Sequence, residues 1–417
     1  MPDATALRFG SGRGTPERIH EAIETNDPLP GTGGFAGAYD GRLVRDVLGR
    51  VPLFVEAGVL DSVDEAEADP TSFSEPPGPG SPVWKGIGAV EPQRWGHRPT
   101  VLEEPVAVPA GTIAGRNGAV ARKGPGDWRL PQPEPIAESL DRVESALERV
   151  SRAELESTAR ADGSGEGTEV AASTAVAFSG GVDSALLAAF GETPLYVVGL
   201  PDGHDVEAAR SAAAAMGRAD DLRVRELSIE DVERAVPTVA RAIDRTNAMD
   251  VAIATAIYLV ASAAATDGID RLVLGQGADE LFGGYEKVAT LDHRVDATTV
   301  RGAVREQLAT LPTQLERDVL AVEAAGVEPV TPYLHDAVVE PALALPDSLL
   351  VAGSTRKVGL RRIAREHLPA DVADRSKKAL QYGTLVSREL DRLARRAGYK
   401  RRMDDHVRRY VESRLEG

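Results

Sequence analysis

The 417-residue chain is long enough for two or three domains, and its 42% hydrophobic content is that of a globular protein. A net charge of −17 argues against a broad nucleic-acid-binding face, which needs clustered Lys and Arg, and the absence of cysteine excludes disulfides, thiolate metal sites and a cysteine nucleophile. With no unbroken run of about 18 apolar residues and no charged-then-apolar leader, the expected setting is soluble and cytoplasmic, without membrane or nucleic-acid partners.

Residues 1–30 are polar and carry little periodicity, apart from a short helix expected over Thr15 to Ile23. There Thr15 can cap, Pro16 suits the first turn, and Ile19 and Ile23 share a face. Phe35 to Asp46 reads as two strands joined by Asp40-Gly41, a strong hairpin signal, and Val47 to Glu56 continues the meander. Residues 61–82 are acidic, then Pro- and Gly-rich, and read as a loop. Short strands are expected around Val83–Val90, Arg98–Val108 and Gly111–Val120. Pro131 to Pro135 is a stiff connector into an amphipathic helix over 136–157, followed by a Gly-Ser-acid loop at Ala161 to Glu169.

From Val170 strands and helices alternate, which implies an α/β fold with a largely parallel sheet. Strands are expected at Thr174–Phe178, Pro194–Leu200, Leu222–Leu227 and Arg271–Leu274. Helices are expected at Asp205–Gly217, Ser228–Ala242 and Ala248–Thr266, and the chain reads as helical after residue 285, with a polar loop at Lys377 to Thr384. Only seven of the 48 basic residues are lysine. This acidic, lysine-poor, alanine-rich composition resembles that of halophilic proteins, whose surplus carboxylates keep the surface hydrated.

The stretch with the most chemistry is Phe178-Ser179-Gly180-Gly181-Val182-Asp183-Ser184, between a strand and a helix. Its glycines let backbone N–H groups approach a ligand, and the helix N-terminus favours an anion. Ser179 and Ser184 add hydroxyls, and Asp183 adds a carboxylate suited to a metal ion. No Gly-Lys-Ser/Thr ending follows, so this is not the phosphate loop whose lysine reaches a γ-phosphate.

The stretch resembles the SGGxDS loop of ATP pyrophosphatases. Together with Tyr196–Arg210, Val273–Tyr285 (containing Gly275-Gln276-Gly277-Ala278-Asp279-Glu280) and Arg375-Ser376-Lys377, it is similar to the synthetase domain of B-type asparagine synthetases. That resemblance implies an ATP pyrophosphatase fold with a helical C-terminal part over 170–417. It also implies ATP and Mg²⁺ as cofactors, and formation of an acyl-adenylate that ammonia then attacks. Ser179, Gly180, Gly181, Asp183 and Ser184 would bind pyrophosphate, with Phe178 leading in. Val198 and Gly275 would border the nucleoside, Asp183 and Asp279 would hold Mg²⁺, and Lys377 would stabilise the adenylation transition state.

Residues 34–40, 43–46 and 49–54 are similar to central strands of class II glutamine amidotransferase domains. A small β-rich domain over 1–130, joined through a linker and helix over 131–169, is therefore expected. Those domains use an N-terminal cysteine; Pro2 and the lack of any cysteine imply that glutaminase activity is lost, leaving ammonia to come from solution or from a separate ammonia-supplying protein. Gln276 stands where the family has a catalytic glutamate, Ala252 where it has an arginine, and His335 where it has an aspartate. The acid therefore stays open. Aspartate is the first expectation, and a different carboxylate or amine, as in β-lactam-forming relatives, is the second. A non-catalytic nucleotide-binding regulator is a third.

Overall fold

A computed structural model describes residues 5–11, 14–57, 94–114, 128–156, 173–200, 204–375, 382–402 and 405–416. The expectations for residues 61–90 and 161–169, and for Lys377 and Lys378, lie outside these.

The N-terminal part is built from short antiparallel strands and one helix: β1 (Thr5–Ser11), α1 (Pro16–Thr25), β2 (Gly33–Tyr39), β3 (Arg42–Arg45), β4 (Phe54–Glu56), β5 (Trp95–Gly96), β6 (Pro105–Ala107) and β7 (Ile113–Ala114). They form two sheets, in the orders β1-β2-β3-β7 and β5-β4-β6. Asp40 and Gly41 both take positive φ (46° and 69°), which matches the twist of the β2–β3 hairpin. Successive side chains on these strands point to opposite faces. Thus Phe35 and Val44 pack under α1 with Ile19, Ala22 and Trp128, while Ala36 and Leu43 pack against Val55 of the second sheet and its flanking Leu53 and Val108. Thr15 caps α1 through its hydroxyl. Two expectations need correcting. Residues 5–11 form a strand, because Leu7 and Phe9 alternate with small or polar neighbours and pair along β2. The strands read at 47–56 and 98–108 shrink to three residues each, and Pro99 starts a tight turn instead.

After α2 (Ser139–Leu155) comes the larger part: β8 (Thr174–Ala177), α3 (Val182–Ala189), β9 (Leu195–Gly199), α4 (His204–Ala215), β10 (Leu222–Glu226), α5 (Ile229–Ile243), α6 (Ala248–Thr266), β11 (Arg271–Val273) and α7 (Ala278–Leu281). Next are α8 (Glu286–Thr290), α9 (Val300–Glu323), β12 (Glu328–Val330), α10 (Asp336–Leu343), α11 (Asp347–Leu350), β13 (Val351–Ala352), β14 (Thr355–Arg356), α12 (Val358–His367), α13 (Ala370–Ala373), α14 (Tyr382–Arg396) and α15 (His406–Leu415). The second half is not all helical: β12 adds an edge strand to the sheet, and β13 and β14 form a small hairpin. Three residues with Pro329 in the middle give little strand pattern, and an edge tolerates the missing donor.

The sheet is parallel throughout, in the order β10-β9-β8-β11-β12. Its central strands are mostly apolar and buried, as helix-covered parallel strands must be, with Arg271 of β11 buried beside Glu154. Helix α5 starts with a reciprocal Ser228–Asp231 capping box and buries Val232, Val236, Val239 and Ile243. Helix α6 is long and apolar enough to cross a membrane by composition, but here it packs against α5, α9 and α14. The chain moves outward from β8 through β9 to β10, then returns to the other side of β8 as β11. The crevice between the C-terminal ends of β8 and β11 is therefore the topological switch point, where open α/β sheets bind ligands.

The two parts meet through buried charge. Arg50 donates to Asp46 (2.8 Å) and to Asp336 (2.6 Å), and Asp336 accepts from the Thr32 amide (2.7 Å). Arg50 also donates to the Leu334 carbonyl (2.7 Å), and Arg45 lies 3.5 Å from Glu316 of α9. Burial alone would push the Asp336 carboxyl up and the guanidiniums down, so each charge needs its partner.

Candidate active site

The loop after β8 reaches the switch point and turns at once into α3. Gly180 takes φ +71°, and a Cβ there would stand 2.5 Å from the Ala208 carbonyl of α4, so the close approach requires glycine. Gly181 caps α3 without any side-chain cap bond, leaving the first-turn amides to a ligand. The Ser184 hydroxyl lies 3.3 Å from that of Ser179 and accepts from the Ser179 amide (3.2 Å), which folds the loop around the helix terminus.

From the other side of the crevice, β11 delivers Gly275. A Cβ on Gly275 would lie 3.2 Å from the Asp183 side chain, so the two loops touch. Asp279 follows at the start of α7. Between Asp183 and Asp279 stands Lys357, which is 4% exposed. Its ammonium lies 2.7 and 2.8 Å from the two Asp183 oxygens and 2.6 Å from Asp279 Oδ1. Lys357 holds a left-handed backbone (φ +57°), a conformation that a non-glycine residue keeps only where its surroundings impose it. Gly284 leaves room for this group: a Cβ there would fall 1.9 Å from Asp279 Oδ1 and 2.4 Å from Lys357 Cε. The buried Tyr333 hydroxyl donates to the Asp183 carbonyl (2.9 Å).

Two carboxylates facing one ammonium leave a net charge of −1. Mg²⁺ commonly takes one or two carboxylates and completes its shell with phosphate oxygens and water. The Asp183–Asp279 pair fits that demand in kind and number, and Asp279 keeps its side chain 27% exposed toward the crevice. Among the described residues no cluster of three or more His, Asp or Glu offers an alternative.

Gln276 sits on the crevice rim next to Gly275. Its Nε2 donates to Asp318 Oδ2 (2.7 Å) of α9, and Arg317 Nε donates to the other Asp318 oxygen (2.7 Å). Arg317 also donates to Asp250 (2.9 Å), and Arg245 bridges Asp250 (3.3 Å) and Glu316 (2.9 Å). Ala252 is indeed apolar and buried, but two arginines reach Asp250 from the end of α5 and from α9. His335 caps α10 with Nδ1, accepting from the Ala337 amide (3.2 Å), and burial with Arg50 nearby lowers its pKa to about 4.

The crevice thus gathers Ser179, Gly180, Gly181, Asp183, Ser184, Gly275, Gln276 and Asp279. The side chains of Phe178 and Val198 lie in the core on opposite faces of the sheet instead. Arg375, just before Lys377, donates to the Ala208 carbonyl (2.9 Å), the group against which Gly180 packs. Lys357, Asp318, Arg317 and Tyr333 have no role readable from the sequence motifs. The scarcity of lysine is a signal for Lys357, and Tyr333 lies in the motif-like stretch Val330–Asp336 without its partner being readable there; Asp318 and Arg317 carry no local mark.

The asparagine synthase family model matches residues 170–301 and 292–413, the portion that builds this sheet, crevice and flanking helices. This chain belongs to the asparagine synthase family. A Methanocaldococcus jannaschii protein assigned as a glutamine-hydrolyzing asparagine synthetase is 30% identical over 267 residues, which cover 55% of this chain and 49% of that protein. The glutamine-hydrolyzing asparagine synthetase B of Escherichia coli is 28% identical over 193 residues, 45% of this chain and 34% of that one. The chain therefore spans about half or less of the length of these relatives. The family's α/β sheet carries its loops here at the switch point, with Lys357 and Asp318 as side chains that local motifs do not reveal.

Proposed function

We propose that this chain is a ligase that cleaves ATP between the α- and β-phosphates, forms an acyl-adenylate and passes the acyl group to ammonia, in the manner of the asparagine synthetases it resembles. One observation carries the reading: a glycine-capped helix terminus, two serine hydroxyls and the Asp183–Lys357–Asp279 group converge at the switch point. Pyrophosphate is a highly charged leaving group, so the site has to present donors where that charge develops. The α3 amides and the Ser179 and Ser184 hydroxyls do so. Mg²⁺, held by Asp183 and Asp279, would neutralise phosphate oxygens when bound. Lys357 keeps those carboxylates oriented, and Lys377 is proposed to face the α-phosphate.

The N-terminal sheets are read as an amidotransferase-like domain over 1–130 without glutaminase activity, since the sequence has no cysteine. Ammonia would then come from solution or from another protein. The reading is tested by exchange of labelled pyrophosphate into ATP with Mg²⁺, at high salt, across a panel of acids including aspartate. Exchange dependent on one acid, with AMP released on adding ammonium, supports it; ATP bound with neither exchange nor AMP overturns it in favour of a regulatory nucleotide-binding protein.

The Gln276–Asp318 contact favours a second reading for the acid. Arg317 and Arg245 are each held by two carboxylates, so neither is spare to pair with the side-chain carboxylate of aspartate. The acid panel decides between aspartate and a less charged carboxylic acid.

A further inference from the structure

Residues 331–336 tie the N-terminal part of the chain to the crevice, and that part grips the segment at both ends. The Thr331 amide donates to the Ser11 hydroxyl (3.4 Å). At the other end the Thr32 amide donates to Asp336 Oδ2 (2.7 Å), and the Asp336 amide donates back to the Thr32 carbonyl (2.9 Å). Arg50 closes the grip. Its Nη1 donates to Asp336 Oδ1 (2.6 Å) and to the Leu334 carbonyl (2.7 Å), while its Nε is fixed by Asp46 (2.8 Å). Between these anchors the single turn Pro332–Leu334 meets both lips of the crevice. The fully buried Tyr333 donates its hydroxyl to the Asp183 carbonyl (2.9 Å) on one lip. Leu334 covers Gly277 on the other, where a Cβ would stand 2.4 Å from it.

Asp183 is thereby held from two sides. Lys357 fixes its carboxylate, and Tyr333 fixes its backbone in the first turn of α3. The Tyr333 ring lies in the core, edge-on to Phe282 at 6.1 Å, a place that phenylalanine would fill equally well. What the hydroxyl adds is the bond to the loop. Donors that meet a developing charge are effective when they stand in place before the reaction, and a displacement of about 1 Å can cost about a hundredfold in rate. We propose that Tyr333 is a positioning residue for the Ser179–Ser184 loop and that Arg50 acts through it, so that the N-terminal sheets brace the crevice. This role requires no nucleophile in those sheets. The inference rests on the adenylation reading for what the loop grips, and it assigns the N-terminal part a share in that step.

The test compares wild type, Tyr333→Phe, Arg50→Lys and the double variant, by amide hydrogen exchange without nucleotide and by ATP–pyrophosphate exchange. Phenylalanine keeps the packing and removes the hydroxyl. Lysine keeps a cation beside Asp46 and Asp336 but lacks the planar fork that also reaches the Leu334 carbonyl. In Tyr333→Phe the amides of residues 179–185 should exchange about fivefold faster while those of α5 and α15 keep wild-type rates, and kcat/KM for ATP should fall about fivefold. Arg50→Lys should give the same pattern. The double variant should be no worse than the more affected single variant, because both changes break one line of contact. Ser11→Ala, which loosens the Thr331 end of the segment, takes the place of Arg50→Lys if that variant does not fold. Unchanged amides at 179–185 in Tyr333→Phe, faster exchange spread evenly over the synthetase part, or losses that multiply in the double variant overturn the inference while leaving adenylation standing. A wild-type protein without pyrophosphate exchange overturns the adenylation reading, and the amide pattern of the nucleotide-free protein then decides the brace by itself.

Discussion

Lys357 Nζ lies 2.7 and 2.8 Å from the two oxygens of Asp183, and this contact joins helix α12 to the loop that follows the central strand. The same ammonium reaches Asp279 at 2.6 Å. Replacing it with Lys357→Met would leave two carboxylates close together, one of them buried, without their cation. Removing one partner from a buried ion pair typically costs about 3–5 kcal/mol. The variant should melt lower than wild type, and Mg²⁺ should raise its melting temperature more than it raises that of wild type, because a second cation then fills the charge deficit. Calorimetry with and without Mg²⁺ checks this. An equal Mg²⁺ response in both proteins would mean that the Asp183–Asp279 pair does not take the metal.

Gly180→Ala tests the loop itself. The new methyl meets the Ala208 carbonyl at 2.5 Å, and the residue must hold φ +71°. Left-handed backbone alone costs a non-glycine residue about 1–2 kcal/mol, and the contact adds to it. The loop should shift off α4, so that ATP binding weakens by at least about tenfold while the overall fold survives. Titration calorimetry with ATP measures the first outcome and circular dichroism the second.

Much of the fold is legible in the sequence because its signals are local. Asn247 and the apolar run behind it give α6, and Asp40-Gly41 gives the β2–β3 hairpin. The glycine-serine loop announces its own chemistry in the same way. Strand β12 is not legible, because three residues around Pro329 gain their identity only by pairing with β11. The site shows the same division. Asp183 and Asp279 lie in recognisable motifs, whereas Lys357, Asp318 and Tyr333 become partners only through tertiary packing over long sequence separations.

The surface charge leads to a third prediction. At a net charge of −17 the exposed carboxylates repel one another. The screening length falls from about 10 Å at 0.1 M salt to about 3 Å at 1 M, so the repulsion fades. The melting temperature should rise steadily between 0.1 and 2 M KCl. The buried Arg50–Asp336 and Lys357–Asp183 pairs are shielded from salt and should oppose this little. A melting temperature that falls over this range would refute a fold adapted to high salt.

His335 makes stability depend on pH in a window that can be stated. Its ring is held neutral, with a pKa of about 4 against an ordinary 6.5, first by burial and then by Arg50, Arg149 and Arg18. The neutral Nδ1 is needed as acceptor for the Ala337 amide at the start of α10. Because the folded pKa is depressed, the unfolded chain binds the proton more readily between pH 4 and 6.5. This contribution is therefore fully present above pH 6.5 and is lost as pH falls toward 4, by about 3 kcal/mol in all. Asp336, the next residue, works the other way, since burial raises its carboxyl and its own contribution grows as pH falls. His335→Asn separates the two: asparagine also caps helices, keeps Asp336 in place and does not titrate. Urea unfolding of both proteins at several pH values should show the wild type losing stability relative to His335→Asn below pH 6.5. Parallel curves down to pH 4 would show that His335 is already protonated in the fold, and that its ring nitrogen does not cap α10.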